Sequence, residues 1–190
     1  MNPEFKIGKR KVGPKHPPLI IVELGINHNG KFGLAKKIIL SAKKSGAEII
    51  KHQTHLPYYE MSEEAKKIVP VHTKENIYNI IDKCSLKVNE EKKLKKFVES
   101  QKLTFISTPF SREAADQLNL MKVKAFKIGS GEFTDAPFIE RLLSLRKPVI
   151  FSTGMSDKKE MDQMYKFINS RKKNLVAFMN CTSEYPPKIN

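Results

Sequence analysis

The sequence predicts an α/β fold of the (β/α)8 TIM-barrel type, incomplete, with about six of the eight strands such a barrel has. Three observations predict it. Short, continuous apolar runs alternate with helix-patterned segments, as strands buried on both faces of a parallel sheet do. The runs end in polar, reactive side chains: Glu23, Lys51-His52-Gln53, Ser107-Thr108, Lys127 with Ser130 and Glu132, Ser152-Thr153, and Asn180-Cys181-Thr182. Chemistry spread over the C-terminal ends of many strands is the mark of that barrel. Finally, the turn after the first run, Gly25 to Gly30, fits neither a dinucleotide fingerprint nor a phosphate loop, which argues against a doubly wound nucleotide fold.

The elements follow in order. Phe5–Val12 reads as a small hairpin with Lys9-Arg10 at its turn. The first strand, Leu19–Leu24, is followed by a helix over Leu34–Lys44 that stops at Gly46. The second strand is Glu48–Lys51. A long insertion, Leu56–Val88, comes next, with helical pieces near Ser62–Ile68 and Glu75–Lys83. Connections of that length are commonly functional, so the insertion is a lid candidate. The third strand is Leu103–Ser107, with a helix near Glu113–Leu120, and the fourth is Ala125–Ile128, with a helix over Phe138–Leu145. The fifth is Val149–Phe151, with a helix over Asp157–Asn169, and the sixth is Leu175–Met179. No repeat, low-complexity tract or linker divides the chain, so residues 1–190 are expected to form one domain.

Composition narrows the class. The chain has 190 residues, 39% of them hydrophobic, enough for a core. Lys and Arg number 35 against 20 Asp and Glu, a formal charge of +15. Nearly all of it is Lys, set on the outer faces of helix patterns: Lys36, Lys37, Lys43 and Lys44, then Lys92, Lys93, Lys95 and Lys96 around Leu94, Phe97 and Val98. Nucleic-acid surfaces favour Arg, so nucleic acid is not the expected partner. Two Cys and no Trp give no disulfide framework, and Met1 to Lys15 has no apolar signal core. No apolar run approaches the ~18 residues of a spanning helix. The expected setting is cytoplasmic, without a membrane.

Lys51 and Lys127 carry the chemical reading. A Lys at the end of a buried strand loses hydration and must find an anion or lose its proton. Two of them converging on one barrel mouth favour a small ligand with more than one negative charge; the structural alternative pairs each with a carboxylate such as Glu23 or Glu132. Gly129-Ser130-Gly131 and Ser152-Thr153-Gly154 offer the N–H groups and hydroxyls of a phosphate cradle. By strand parity Glu23 shares a face with Ile21 and Gly25, Gln53 with Lys51, and Glu132 with Ser130. His52 and His55, three residues apart at a strand end, are read as packing or supporting residues rather than metal ligands. Cys84 and Cys181 are read as small buried residues.

Several segments then become recognisable. They are Ile21–Gly30 (IVELGINHNG), Lys51–His55 (KHQTH), Met61–Lys66 (MSEEAK), Phe105–Arg112 (FISTPFSR), Phe126–Glu132 (FKIGSGE), Lys147–Met155 (KPVIFSTGM) and Cys181–Pro186 (CTSEYP). In this order, the chain resembles bacterial N-acetylneuraminate (sialic acid) synthases, and KHQTH looks more like their sialic acid branch than the legionaminic or pseudaminic ones. The resemblance implies condensation of phosphoenolpyruvate with N-acetylmannosamine, or a related N-acetyl sugar aldehyde, and water, giving N-acetylneuraminate and phosphate. Lys51, Thr108, Lys127, Ser130 and Ser152 would hold phosphoenolpyruvate; Glu23, Gln53, Tyr185 and His72 would meet the sugar. Glu132 and Glu23 would be the catalytic carboxylates, Glu132 positioning or deprotonating the water.

The resemblance also implies a divalent metal, Mn²⁺ or Mg²⁺, a homodimer at full length, and a C-terminal antifreeze-like domain. That domain, the last barrel strands and two metal-binding His lie past the point matching Asn190, so no metal ligand is expected in this chain. Asn180, Ser183 and His72 stand where the relatives have His, Asn and Asn, so the sugar side is expected to be altered. Two alternatives stay open: a truncated fragment that binds phosphoenolpyruvate or polyanions without turnover, and a lyase using Lys127 or Lys51 as a Schiff base.

Overall fold

The computed structural model describes residues 4–171, 175–184 and 186–188. The N-terminal hairpin joins β1 (Phe5–Ile7) to β2 (Arg10–Val12), with Ile7 opposite Arg10. The turn is therefore Gly8-Lys9, one residue earlier than expected. Arg10 is held in the strand by its guanidinium, which donates to Glu48 Oε2 and to the Pro17 carbonyl, both at 2.8 Å.

The main sheet follows. It begins with β3 (Ile21–Gly25), α1 (Phe32–Lys44) and β4 (Ile49–Thr54). The insertion carries α2 (Pro57–Glu60), a single 3-10 turn at Ala65–Lys67, and α3 (Ile77–Cys84). Then come α4 (Val88–Ser100), β5 (Thr104–Pro109), α5 (Arg112–Leu120), β6 (Phe126–Ile128), α6 (Ala136–Ser144), β7 (Val149–Ser152), α7 (Lys158–Asn169) and β8 (Val176–Met179). The six main strands are all parallel and stand in chain order, β3-β4-β5-β6-β7-β8. Consecutive parallel strands with a helix in nearly every crossover are six successive strands of a (β/α)8 barrel.

Two details depart from expectation. The β4–β5 register continues from Lys51 opposite Ile106 to Thr54 opposite Pro109, so both strands reach further toward the mouth than the apolar runs indicate. In the insertion, the helix expected over Ser62–Ile68 shrinks to one turn, because Ile68 is already extended ahead of Pro70. Pro57, fixed in φ and needing no N–H partner at a first helical position, starts α2 instead.

Side chains alternate across the sheet. Outward-facing Ile50, Phe105, Phe126, Val149 and Phe151 pack with Leu94, Val98, Leu118, Ile139 and Leu142 of the helices. Inward-facing Ile49, Ile106, Ala125 and Ile150 form a second cluster, into which Ile7 of the hairpin is fully buried. The hairpin thus plugs the bottom of the barrel. Helices beyond the mouth are started by side-chain caps: Ser111 accepts from Ala114 N–H, Asp135 from Phe138 N–H, and Asp157 with Glu160 forms a capping box.

The edges are β3 and β8, where Ile20, Leu175, Phe178 and Met179 are exposed. Unpaired apolar edges pair with other chains. The 190-residue chain is expected to run well above its 21.7 kDa monomer mass in size-exclusion chromatography with light scattering. A monodisperse monomer with a sharp melting transition would contradict this.

Candidate active site at the barrel mouth

Above the apolar floor, the same inward-facing positions turn polar. Lys51 stands two residues beyond Ile49, Thr108 two beyond Ile106, Lys127 two beyond Ala125, and Ser152 two beyond Ile150. Period-two alternation therefore delivers all four to one interior layer. Lys127 is only 6% exposed, and its Nζ donates to Ser152 Oγ and, at 2.6 Å, to the Ile128 carbonyl. No carboxylate pairs with it among the described residues. Burial, then the neighbouring Lys51 charge, pulls Lys127 down to about 8 from its ordinary 10.5. Lys51 is different: it forms an ion pair with Glu23 and lies 3.5 Å from Thr108 Oγ1. One lysine thus takes the carboxylate partner considered from sequence, and the other does not.

The cradle loops close on this layer. A side chain at Gly154 would meet Ser130 Oγ at 2.8 Å and Ser183 Oγ at 2.9 Å, so both hydroxyls require glycine there. Ser183 also accepts the Met155 N–H at 2.9 Å, and Thr153 Oγ1 donates to the Met179 carbonyl at 2.8 Å. Cys181 belongs to the same corner. Burial acts to raise its thiol, but bonds from Ser152 and from the Thr153 and Gly154 N–H groups, with Lys127 nearby, bring it below its ordinary value.

On the β3–β4 side, Glu23 Oε1 and Gln53 Oε1 converge over Gly25, 3.0 and 3.6 Å from where a Cβ would stand. Two oxygens in one place suit donating hydroxyls. Gly25 has φ +53 at a register shift against β4, a backbone that favours glycine. Glu132 stands in the turn after β6, and burial raises its carboxyl above the usual range. His72 lies in an exposed turn of the insertion, with no side-chain hydrogen bond among the described residues, and is not drawn into this cluster. Tyr185 lies outside the described residues.

The outward face of β4 holds what sequence reading missed. His52 Nδ1 lies 3.0 Å from Glu91 Oε1, and its Nε2 lies 3.1 Å from His28 Nε2. Glu91 also accepts from Thr54 Oγ1 at 2.5 Å and from Gln117 Nε2 at 2.9 Å, while Thr54 meets Ser107 Oγ at 2.7 Å. The Gly30 N–H donates to His28 Nδ1 at 3.2 Å, which leaves the His28 Nε2–H to donate to His52. Burial, with His52 beside it, lowers His28 to about 4. The network ties β4, β5, α4, α5 and the β3–α1 loop together directly behind Lys51 and Gln53. Glu91 had a signal: with Leu94 and Val98 it sits at i, i+3 and i+7, on the buried stripe of α4.

A family profile described as the NeuB family matches residues 38–190. The chain belongs to the NeuB family. An uncharacterized protein of Methanocaldococcus jannaschii is 37% identical, aligned over 96% of this chain and 51% of its own length. An N,N'-diacetyllegionaminic acid synthase of Campylobacter jejuni is 36% identical over 90% of this chain and 53% of its own. Among solved structures, an N-acetylneuraminic acid synthetase from Leptospira borgpetersenii, in complex with citrate, superposes with a TM-score of 0.85 at 25% identity, covering all of this chain and 62% of that one. The chain spans about half the length of the curated relatives it matches. Family members so named are sugar-acid synthases.

Two outcomes follow from this geometry. Folded Lys127 binds its proton less tightly than the unfolded chain does, so its cation destabilises the fold below pH 8, and the penalty fades as pH rises from about 8 to 10.5. Lys127→Met is therefore expected to raise stability at pH 7 by roughly 2 kcal/mol in urea denaturation. A destabilised variant would contradict this. On the far face, Glu91→Ala, which orphans His52, Thr54 and Gln117, is expected to cost about 3 kcal/mol in the same denaturation experiment.

Proposed function

We propose that this chain carries the phosphoenolpyruvate-binding part of a NeuB-type synthase, which condenses phosphoenolpyruvate with an N-acetylated sugar aldehyde and water to give a nonulosonic acid and phosphate. The observation that supports it most is Lys127: a buried cation with no carboxylate partner among the described residues, set among Ser152, Ser130, Thr108 and Lys51. A three-carbon ligand with a phosphate and a carboxylate matches the chemistry of that set of donors.

The reaction, on this reading, has two bond-making stages. Phosphoenolpyruvate C3 attacks the open-chain aldehyde carbon, whose oxygen takes a proton from solvent and becomes a hydroxyl, and C2 is left electron-poor. Water adds at C2 and gives one proton to Glu132; phosphate then leaves with the electrons of the C2–O bond and takes the proton of the new C2 hydroxyl, forming the keto group. Lys127 offsets the ligand's negative charge throughout, Ser152 donates a hydrogen bond to it, and Lys51 does the same while keeping Glu23 as its ion pair. Glu23 and Gln53 accept from sugar hydroxyls. The resemblance also implies a divalent metal, Mn²⁺ or Mg²⁺. Among the described residues no group of three or more His, Cys, Asp or Glu converges to hold one, so these residues do not fit that ion and no step is assigned to it.

The acceptor is proposed at the level of its class. Relatives are named for legionaminic, pseudaminic and N-acetylneuraminate-9-phosphate products, at 36%, 31% and 28% identity. Identity therefore gives no preference to the N-acetylmannosamine branch that KHQTH suggested. In a full-length synthase that contains this segment, phosphate release should require phosphoenolpyruvate and an N-acetylated hexose aldehyde together, tested as a panel by a coupled phosphate assay. Release without the sugar would overturn the reading. A Schiff-base lyase is the second reading, favoured by the lowered Lys127. Borohydride with pyruvate would label Lys127 in a lyase, and is expected to leave it unmodified.

A further inference from the structure

His55 is the first residue after β4, Phe110 the first after β5, and Glu132 stands in the turn after β6, so the three occupy neighbouring strand ends. The His55 ring lies flat on Phe110, with centroids 4.1 Å apart and planes 11° apart. Its Nδ1 is 3.0 and 3.2 Å from the two carboxyl oxygens of Glu60, which also accepts the Leu56 N–H at 3.3 Å. Both side chains are nearly enclosed, 6% and 5% exposed. In the neutral ring, a carboxylate on Nδ1 selects the tautomer with the hydrogen on Nδ1 and a lone pair on Nε2.

That lone pair is unused. Among the described residues His55 Nε2 is buried without a hydrogen-bond partner, and so is Glu132 Oε2. Elsewhere in the chain both ring nitrogens of His52 are partnered, so an idle nitrogen is not this protein's habit. An unpaired buried polar atom costs about 1–3 kcal/mol and calls for an explanation. Here two such atoms stand at adjacent strand ends, beside one cavity of about 340 Å³ that Glu60, Phe110 and Glu132 line together.

We propose that Glu60 and His55 form a proton store behind Glu132, a role that rests on reading Glu132 as the group that takes the proton of the attacking water. As the water oxygen bonds to C2, its O–H bond breaks and the proton goes to Glu132 Oε2. From there it passes to His55 Nε2, directly or through one bridging water. Glu132 is again a carboxylate, and the imidazolium keeps its Nδ1–H on the Glu60 carboxylate, which balances its charge. The proton leaves afterwards with phosphate or to solvent, restoring neutral His55. His55 is thus a positioning and proton-holding residue that acts through Glu132. Arg112, Glu113 and Asp135 face the same cavity, and Lys127 acts on Glu132 from the barrel side.

The test is the titration of Glu132, followed by carbon-13 NMR of its carboxyl in the ligand-free chain. Burial holds that carboxyl up and Glu60 pushes it further, while Lys127 draws it down. A neutral His55 whose Nε2 accepts from the protonated carboxyl favours the protonated form, so His55→Phe, which keeps a ring on Phe110 and removes the acceptor, is expected to lower the midpoint by about half a pH unit or more. A midpoint that stays in place in His55→Phe overturns the proposal, since a histidine that only packs on Phe110 would not move it. If His55→Phe does not fold, nitrogen-15 NMR of the His55 ring in the unaltered chain decides: a ring with hydrogens on both nitrogens at pH 7 overturns the proposal. The titration needs neither substrate nor turnover, so its outcome is separate from that of the phosphate-release assay.

Discussion

A buried ammonium group with no carboxylate partner among the described residues is the constraint around which the mouth is arranged. Lys127 is placed by strand geometry: Ala125 below it belongs to the apolar floor, and Phe126 and Ile128 beside it are locked into the helix-facing core. The side chain has no other direction to take. Its hydration is lost, and among the described residues Ser152 and the Ile128 carbonyl are what replace it. A cation so placed destabilises the fold, and on the function proposed above an anionic ligand relieves that cost. Lys51 shares the layer but is already matched by Glu23, so the two lysines are not equivalent. On the function proposed above, Lys127 would anchor the ligand by charge, while Lys51 joins that layer to the Glu23–Gln53 corner.

β4 does two jobs with its two faces. Lys51 and Gln53 point into the barrel, while His52 and Thr54 point outward into the Glu91 network. A side chain cannot be held more firmly than its backbone. By joining α4, α5, β5 and the β3–α1 loop to the outward face, the network limits how far the inward face can shift. The Gly30 N–H that reaches His28 Nδ1 is shared with the Cys84 carbonyl at the end of α3, 3.0 Å away, so the β3–α1 loop is fastened to the insertion as well. The insertion is therefore continuous with the strand ends it overhangs.

Much of this was legible because it depends on short-range rules. Continuous apolar runs located every main strand, and period-two parity put Gln53 with Lys51 on one face. The resemblance placed Ser130, Thr108 and Ser152 beside the lysines before any coordinates. What escaped depends on partners distant in sequence. Glu91 lies in a lysine-rich helix and looks like one more solvated charge until His52 and Gln117 are seen around it. The Glu60–His55 pair depends on the short helix at Pro57, and Ile7 gives no hint in its own neighbourhood that it closes a barrel. The insertion was read as too helical, since its Ser-Glu-Glu-Ala stretch has the composition of a helix but too few residues before Pro70 to propagate one.

The strictly sequential strand order bears on how the chain is made. Among the six main strands, each pairs with the one synthesised just before it and offers its free edge to the one that follows. A ribosome releasing the chain from its N-terminus presents the pieces in the order in which they dock, with the hairpin emerging ahead of the strands whose floor it seals. No strand has to wait for a distant partner, so the loop-closure entropy of each docking step stays small. The growing edge is always the newest strand, so apart from the fixed edge at β3 a nascent barrel is sticky at one moving front.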